Sequence, residues 1–198
     1  MIAMVRIIAG RFRGRALRTP AGGATRPTAD AMKETIYNVL GDSTRDARVA
    51  DLFAGSGSLG LEALSRGARS AVFVETAPAA LAVLRANIAA LRLESQTLVA
   101  DADALRYLSA SQPDAFDVVL ADPPYALGAE PMIVASARAA LGPGGMLVLQ
   151  HDRRGFTAEG LDGWRRLRAR RFGDTVIDFL VREDANDAAE NGALSGHV

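Results

Sequence analysis

The 198-residue chain contains no cysteine. Disulfides and thiolate metal sites are therefore excluded. His151 and His197 are the only histidines, too few for a histidine zinc site, and no metal is expected. Lysine occurs once, at Lys33, so nearly all positive charge is arginine. No apolar run approaches the roughly 18 residues that a membrane span requires. The segment Met1–Ala9 is apolar but short, carries Arg6, and lacks the small-residue cleavage site of a signal peptide. These absences lead to the expectation of a soluble, cytoplasmic, monomeric protein without a membrane partner.

What is present suits one compact domain with a small appendage: 49% of the residues are hydrophobic. The formal net charge is zero, but the charges are segregated. Residues 1–45 hold eight basic side chains against three acidic ones, and residues 151–172 hold seven arginines against three acids. The tail from Glu183 has four acids and no lysine or arginine. Segregation of this kind places basic patches on one face, the footprint of a polyanion partner, although a solvated surface in an arginine-rich chain reads the same way.

Hydrophobic periodicity divides the chain. Arg6–Ile8 and Ala16–Arg18 flank Gly10-Arg-Phe-Arg-Gly14 and read as a small hairpin with an arginine-rich turn. Thr28 reads as the N-cap of a helix over Ala31–Leu40, with Met32, Ile36, Val39 and Leu40 as its apolar stripe. Strands are expected at Val49–Phe53, Ala71–Glu75, Thr97–Ala100, Asp117–Ala121 and Met146–Gln150, separated by helices at 58–66, 78–92, 103–109 and 130–141. That alternation builds a parallel sheet covered on both faces by helices, with right-handed crossovers. Trp164–Arg171 and Thr175–Val181 are joined only by Phe172-Gly173-Asp174, which forces an antiparallel hairpin. The expected fold is α/β: a Rossmann-like class I methyltransferase with a seven-stranded, mostly parallel sheet, an antiparallel C-terminal hairpin and a small N-terminal hairpin and helix. The expected division is an N-terminal extension at 1–45, a catalytic domain at 46–183 and a disordered tail at 184–198.

Two motifs carry chemistry. In the first, Asp51-Leu-Phe-Ala-Gly55-Ser-Gly57-Ser-Leu-Gly60 follows a strand and opens a helix. Glycines let backbone approach a ligand, and the helix N-terminus attracts an anion. That anion is pyrophosphate in a NAD enzyme and the methionine carboxylate in an S-adenosylmethionine enzyme; the spacing fits both. Asp51 shifts the balance, because an acid there faces the ammonium of S-adenosylmethionine but opposes a pyrophosphate. Glu75, at the end of the second strand, can accept both ribose hydroxyls of either cofactor. Asp103-Ala104 lies where an adenine amine would sit, with Asp101 as a substitute for Asp103; Asp103 reads equally as a helix N-cap. The expected cofactor contacts are thus Asp51, Phe53, Ala54, Gly55, Gly57, Glu75, Asp103 and Ala104.

In the second motif, Asp122-Pro123-Pro124-Tyr125 ends the fourth strand of the alternation. The prolines stiffen the loop and remove two N–H donors, leaving the Asp122 carboxylate and the Pro123 carbonyl as acceptors. An aromatic amine is a poor nucleophile because its lone pair is delocalised. Two acceptors on its N–H bonds favour a pyramidal nitrogen and stabilise the charge that develops on it. Tyr125 can stack on an exposed base. Asp122, Pro123, Pro124 and Tyr125 are the expected catalytic residues.

With these residues in place, the sequence resembles the RsmD-like methyltransferases from about Arg6 to Arg182. The resemblance rests on Arg6-Ile-Ile-Ala-Gly-Arg-Phe-Arg-Gly14, Arg26-Pro-Thr-Ala-Asp30, Glu34-Thr-Ile-Tyr-Asn38, the glycine loop continuing through Leu59-Gly-Leu-Glu-Ala-Leu-Ser-Arg66, and Asp122–Tyr125. It implies methylation of the exocyclic N2 of one guanine in 16S rRNA, within the small ribosomal subunit or its late precursor. Two departures touch expected substrate contacts: Ala31 where the family often carries a basic residue, and Gln150-His151-Asp152 where it often places glutamates. Arg11, Arg13, Arg15 and Arg26 are the expected RNA contacts; the first three share one face if their segment is extended, and Arg26 reads equally as a partner of Asp30. The competing readings are a DNA adenine-N6 methyltransferase, disfavoured by the lack of an insertion for reading sequence, and a protein-glutamine methyltransferase. Further away stand an NAD-dependent oxidoreductase, which leaves Asp122–Tyr125 unexplained, and a non-catalytic RNA-binding assembly factor.

Overall fold

A computed structural model describes residues 5–20 and 27–183. The expected RNA contact Arg26 and the tail at 184–198 lie outside the described residues.

Two short strands, β1 (Val5–Arg6) and β2 (Ala16–Leu17), form the N-terminal hairpin. Helix α1 (Pro27–Leu40) follows. The main elements are β3 (Arg48–Leu52), α2 (Ser58–Ser65), β4 (Ser70–Glu75), α3 (Pro78–Leu91), β5 (Thr97–Asp101), α4 (Ala104–Ser109), β6 (Phe116–Ala121), α5 (Glu130–Ala140), β7 (Leu141–Asp152), β8 (Trp164–Phe172) and β9 (Thr175–Arg182). The sheet order is β5-β4-β3-β6-β7-β9-β8. Strands β5 to β7 are mutually parallel, and β9 runs antiparallel between β7 and β8. This is the expected seven-stranded, mostly parallel sheet ending in an antiparallel hairpin.

Alternation along the strands divides the core. Val49, Val118, Leu120, Met146 and Val148 meet α1, α2 and α3 through Ile36, Leu61, Leu64 and Leu84. Ala50, Leu52, Val119, Leu147 and Leu149 meet α4 and α5 through Leu108, Ile133 and Ala137. Strand order reverses between β3 and β6, which opens a crevice at their C-terminal ends, where ligands of α/β sheets bind.

Three local expectations need correction. Helix α1 begins at Pro27, so Thr28 lies inside its first turn and is not the N-cap; proline suits a first helical position because its φ is preset and it has no N–H to leave unpaired. The buried stripe of α1 also contains Lys33 and Tyr37, which the apolar pattern leaves out. Finally, residues 11–14 form a hydrogen-bonded turn, with Gly14 N–H donating to Ile7 O and Arg15 N–H to Phe12 O. The segment is not extended, so Arg11, Arg13 and Arg15 do not form a single-faced row.

The N-terminal arm is held by one buried carboxylate. Glu62 of α2 is fully buried and accepts from Ile8 N–H at 2.7 Å and Ala9 N–H at 2.9 Å. It also pairs with Arg66 at 2.8 Å and with buried Lys33 of α1 at 3.7 Å. One turn on, Ser65 Oγ donates to Ala9 O and accepts from Phe12 N–H. Gly10, at φ +80°, passes so close that an added Cβ would stand 1.9 Å from Ser65 O. Tyr37 of α1 donates to Leu59 O at 2.6 Å. Sequence distance is thereby closed: arm, α1 and α2 become one unit over the α1-side face of the sheet.

Breaking a buried ion pair by removing one member typically costs about 3–5 kcal/mol, because the remaining charge stays buried. Glu62→Ala should therefore lower the unfolding free energy by an amount of that order in urea titrations. A loss below about 1 kcal/mol would show that the arm is held by other contacts.

Candidate active site

The glycine loop connects β3 to α2. Phe53 ends the strand by adopting φ +57°, Gly55 has φ +54° and Gly57 has φ +79°. The glycines differ in purpose. An added Cβ at Gly57 would meet Leu84 at 2.4 Å, and one at Gly60 would meet Phe73 at 2.4 Å; both serve packing of α2. A Cβ at Gly55 would point into open space, so here only the positive φ demands glycine. Ala54 is buried, and its N–H donates to Val74 O, tying the loop to β4.

Asp51 has an internal task. It is 2% exposed, and its Oδ2 accepts from Gly60 N–H at 2.8 Å in the first turn of α2. Burial raises its pKa to about 8; the Gly60 bond opposes that rise, and the charges of Asp122 and Glu75 add to it. Glu75, at the end of β4, is locked by backbone: Oε2 accepts from Gly55 N–H, and Oε1 from Thr76 and Ala77 N–H, each at 2.8 Å. A carboxylate offers about four lone-pair sites, so acceptor capacity remains. Asp103 proves to be the N-cap of α4, accepting from Arg106 N–H at 2.8 Å. It is exposed, and Ala104 behind it is buried.

Asp122 follows β6 and opens to the crevice. Asp122 is exposed at the crevice by its accessible surface, yet neighbouring protein thins the solvent around its carboxyl and raises its pKa to about 6. Pro123 is buried and Pro124 exposed. The Pro124 carbonyl accepts from Leu127 N–H at 2.9 Å in a short 3₁₀ turn, whereas the Pro123 carbonyl has no such bond among the described residues. The Tyr125 hydroxyl meets Thr175 Oγ1 at 2.5 Å, so the first residue of β9 holds the exposed ring over the crevice rim. Thr175 was invisible to motif reading, because the contact crosses 50 positions of sequence.

The fold thus brings Asp51, Gly55, Glu75 and Asp122–Tyr125 together at the strand-order reversal, with Asp103 and Ala104 at the neighbouring edge. The predicted RNA contacts Arg11, Arg13 and Arg15 stand apart on the N-terminal hairpin. Arg11 donates to Gln96 Oε1 and covers the Phe12 ring at 4.7 Å. Arg13 and Arg15 are exposed, and no side-chain partner is seen for either among the described residues. Asp30, which sequence offered as a partner for Arg26, pairs with Arg6 at 3.1 Å; Arg26 itself is outside the described residues.

A family model described as Conserved hypothetical protein 95 matches residues 5–181. The chain belongs to this RsmD-like family. It is 40% identical over 124 residues to the ribosomal RNA small subunit methyltransferase D of Escherichia coli K12, an alignment covering 63% of this chain and 62% of that one. Its identity to the enzyme of the same name from Haemophilus influenzae is 42% over 123 residues, covering 61% and 64%. The aligned part therefore spans less than two thirds of either relative. Among solved structures, a protein described as a candidate methyltransferase, yhhF from Escherichia coli, superposes with a TM-score of 0.81 at 29% identity, covering 91% of this chain and 98% of that one. The RsmD-like fold thus accounts for the arm and α1 as well as for the sheet.

The electrostatics of this site imply a pH dependence. A carboxyl whose folded pKa lies above its unfolded value, as Asp51 at about 8 against 3.8, stabilises the native state while protonated. That contribution is complete below about pH 4 and is lost as pH rises through about 8. Asp51→Asn keeps an oxygen for Gly60 N–H and cannot ionise. Urea titrations without ligand should show wild type losing more stability than Asp51→Asn between pH 5 and pH 8.5. Parallel losses in the two proteins would refute the assignment.

Proposed function

We propose that this chain transfers a methyl group from S-adenosylmethionine to the exocyclic N2 amine of a guanine in 16S rRNA, within the small ribosomal subunit or its late precursor. The observation that carries the reading is Asp122: a carboxylate free of protein hydrogen bonds among the described residues, at the strand-order reversal, beside a free Pro123 carbonyl and the glycine loop. The names of the E. coli and H. influenzae relatives agree with an rRNA substrate.

The residues fit the cofactor by charge. Burial keeps Asp51 from ionising readily, and the charges of Asp122 and Glu75 add to that effect. A ligand that brings positive charge relieves this repulsion, whereas a dinucleotide's pyrophosphate increases it. S-adenosylmethionine, which carries a sulfonium and an ammonium, would be held by Asp51, Phe53–Gly57, Glu75 and Asp103-Ala104. Glu75 would take one ribose hydroxyl on its remaining lone-pair site, and the open space over Gly55 admits the ligand close to backbone. When bound, the cofactor supplies an electrophilic methyl group.

The chain's own residues align and polarise the amine. Asp122 and the Pro123 carbonyl accept its two N–H bonds, favour the pyramidal geometry and stabilise the developing charge. The proton leaves only after attack, when the amine has become acidic, so a strong base is not required in advance. Tyr125, steadied by Thr175, stacks on the base. Exposed Arg13 and Arg15 contact phosphates, and Arg11 contributes its charge from its place against Gln96.

The deciding assay is transfer of labelled methyl groups to small subunits lacking guanine-N2 methylation, followed by nucleoside analysis. N2-methylguanosine is expected; label in N6-methyladenine of duplex DNA instead would overturn the substrate. Asp122→Ala should lower the turnover rate about 10²–10³-fold with cofactor affinity nearly unchanged, since the lost acceptor acts mainly in the transition state. Normal turnover would remove Asp122 from the mechanism. Replacing Arg13 and Arg15 together should flatten the dependence of log affinity on log salt by roughly one to two units; an unchanged slope would show that they do not touch phosphate.

A further inference from the structure

We propose that the cleft between α1 and the ends of β6 and β7 is the pocket for the edge of the target base, and that Gln150 reads that edge beside Asp122. The proposal rests on the reaction assigned above and adds the residue that selects guanine.

Sheet register places the two residues side by side. Ala121 of β6 is paired with Leu149 of β7 in a parallel ladder. One step further along each strand stand Asp122 and Gln150. Parallel neighbours lie about 4.8 Å apart, and alternate residues share a face. Both residues continue the row of Val118, Leu120, Met146 and Val148, the α1-side face. They open into a cleft of about 240 Å³ whose other walls include Met32, Ile36 and Leu59.

Gln150 is 5% exposed, yet its carboxamide has no hydrogen-bond partner among the described residues. Its polar atoms are not fully enclosed but reach the cleft, where they can bond an incoming ligand in place of water. The neighbouring polar groups are already committed. Lys33 Nζ donates to Arg6 O and to Ser58 Oγ, and pairs with Glu62. That leaves the Asp122 carboxylate, the Gln150 carboxamide and the Ser58 O–H as the polar groups in the cleft with capacity for an incoming molecule, and of these Gln150 stands beside Asp122.

Their chemistry matches guanine in order. Along its Watson–Crick edge guanine presents the N2 amine, then N1–H, then O6. With the amine on Asp122, the carboxamide oxygen accepts N1–H and the carboxamide NH₂ donates to O6. Adenine held by its amine at Asp122 presents an N1 acceptor and then a C–H, so Gln150 makes one bond with it instead of two. A bidentate pair discriminates by about ten- to hundredfold.

The test compares wild type, Gln150→Leu and Gln150→Glu on small subunits lacking guanine-N2 methylation. Three quantities are measured: kcat/KM for subunits, the dissociation constant of S-adenosylmethionine, and the nucleoside formed. Gln150→Leu should lower kcat/KM about ten- to hundredfold, with cofactor affinity within about twofold of wild type. Gln150→Glu keeps an acceptor for N1–H and should fall between the two. Retained cofactor affinity also shows that the variants are folded. Unchanged kcat/KM in Gln150→Leu overturns the proposal, as does equal loss in both variants, which indicates shape alone. Cofactor affinity falling in step with activity would place the amino-acid end of S-adenosylmethionine in the cleft and overturn it too. Wild type that forms a nucleoside other than N2-methylguanosine overturns the underlying reaction; N2-methylguanosine from wild type with no effect of Gln150→Leu overturns the role of Gln150 alone.

Discussion

The buried carboxylate of Glu62 is the constraint on which the site depends. It gathers the backbone of the arm at Ile8 and Ala9, Lys33 from α1, and Arg66 from its own helix. A charge with zero exposure is tolerable only when its lone pairs are fully used. That requirement dictates where α1 can lie. With α1 in place, Met32, Lys33 and Ile36 wall the cleft above Asp122 and Gln150. Without it, the cleft beside Asp122 and Gln150 would lose the wall formed by Met32, Lys33 and Ile36.

A second consequence follows from charge. The crevice concentrates Asp51, Glu75 and Asp122, and the charges of Asp122 and Glu75 add to the burial that holds the pKa of Asp51 near 8. Such a site selects its ligand by sign before any contact of shape. The same carboxylates have structural tasks: Asp51 satisfies Gly60 N–H at the start of α2, and Glu75 gathers three backbone donors that shape the loop. Loop geometry and ligand preference therefore rest on the same atoms.

The C-terminal hairpin contributes more than an edge. Strand β9 inserts between β7 and β8 and delivers Thr175 to Tyr125. Beneath it, buried His151 of β7 meets Asp178 of β9 at 2.8 Å, and Asp178 also accepts from Arg166 of β8 at 2.7 Å. This cross-strand network holds the last three strands in register next to Gln150. Part of the arginine excess of residues 151–172 is accounted for internally in this way, with Arg153 paired to Asp174 as well.

Sequence alone determined most of the elements and located the two motifs at the crevice. Period-two and period-3.6 patterns placed the strands and helices to within a residue or two at most ends, because burial of one face imposes those periods. The glycine loop and Asp122–Tyr125 were legible because each needs particular residue types at consecutive positions. Only tertiary structure decided which residues meet across the chain. The apolar pattern of α1 passed over Lys33, which is buried because Glu62 lies opposite it. The row of arginines at 11, 13 and 15 turned out to be a turn, because backbone bonds from Gly14 to Ile7 and from Arg15 to Phe12 close it. Thr175 carries no motif, and Gln150 was legible only as a departure from the family pattern. Their places come from strand register and from a strand that returns to the middle of the hairpin edge, and such pairings depend on how the whole sheet assembles.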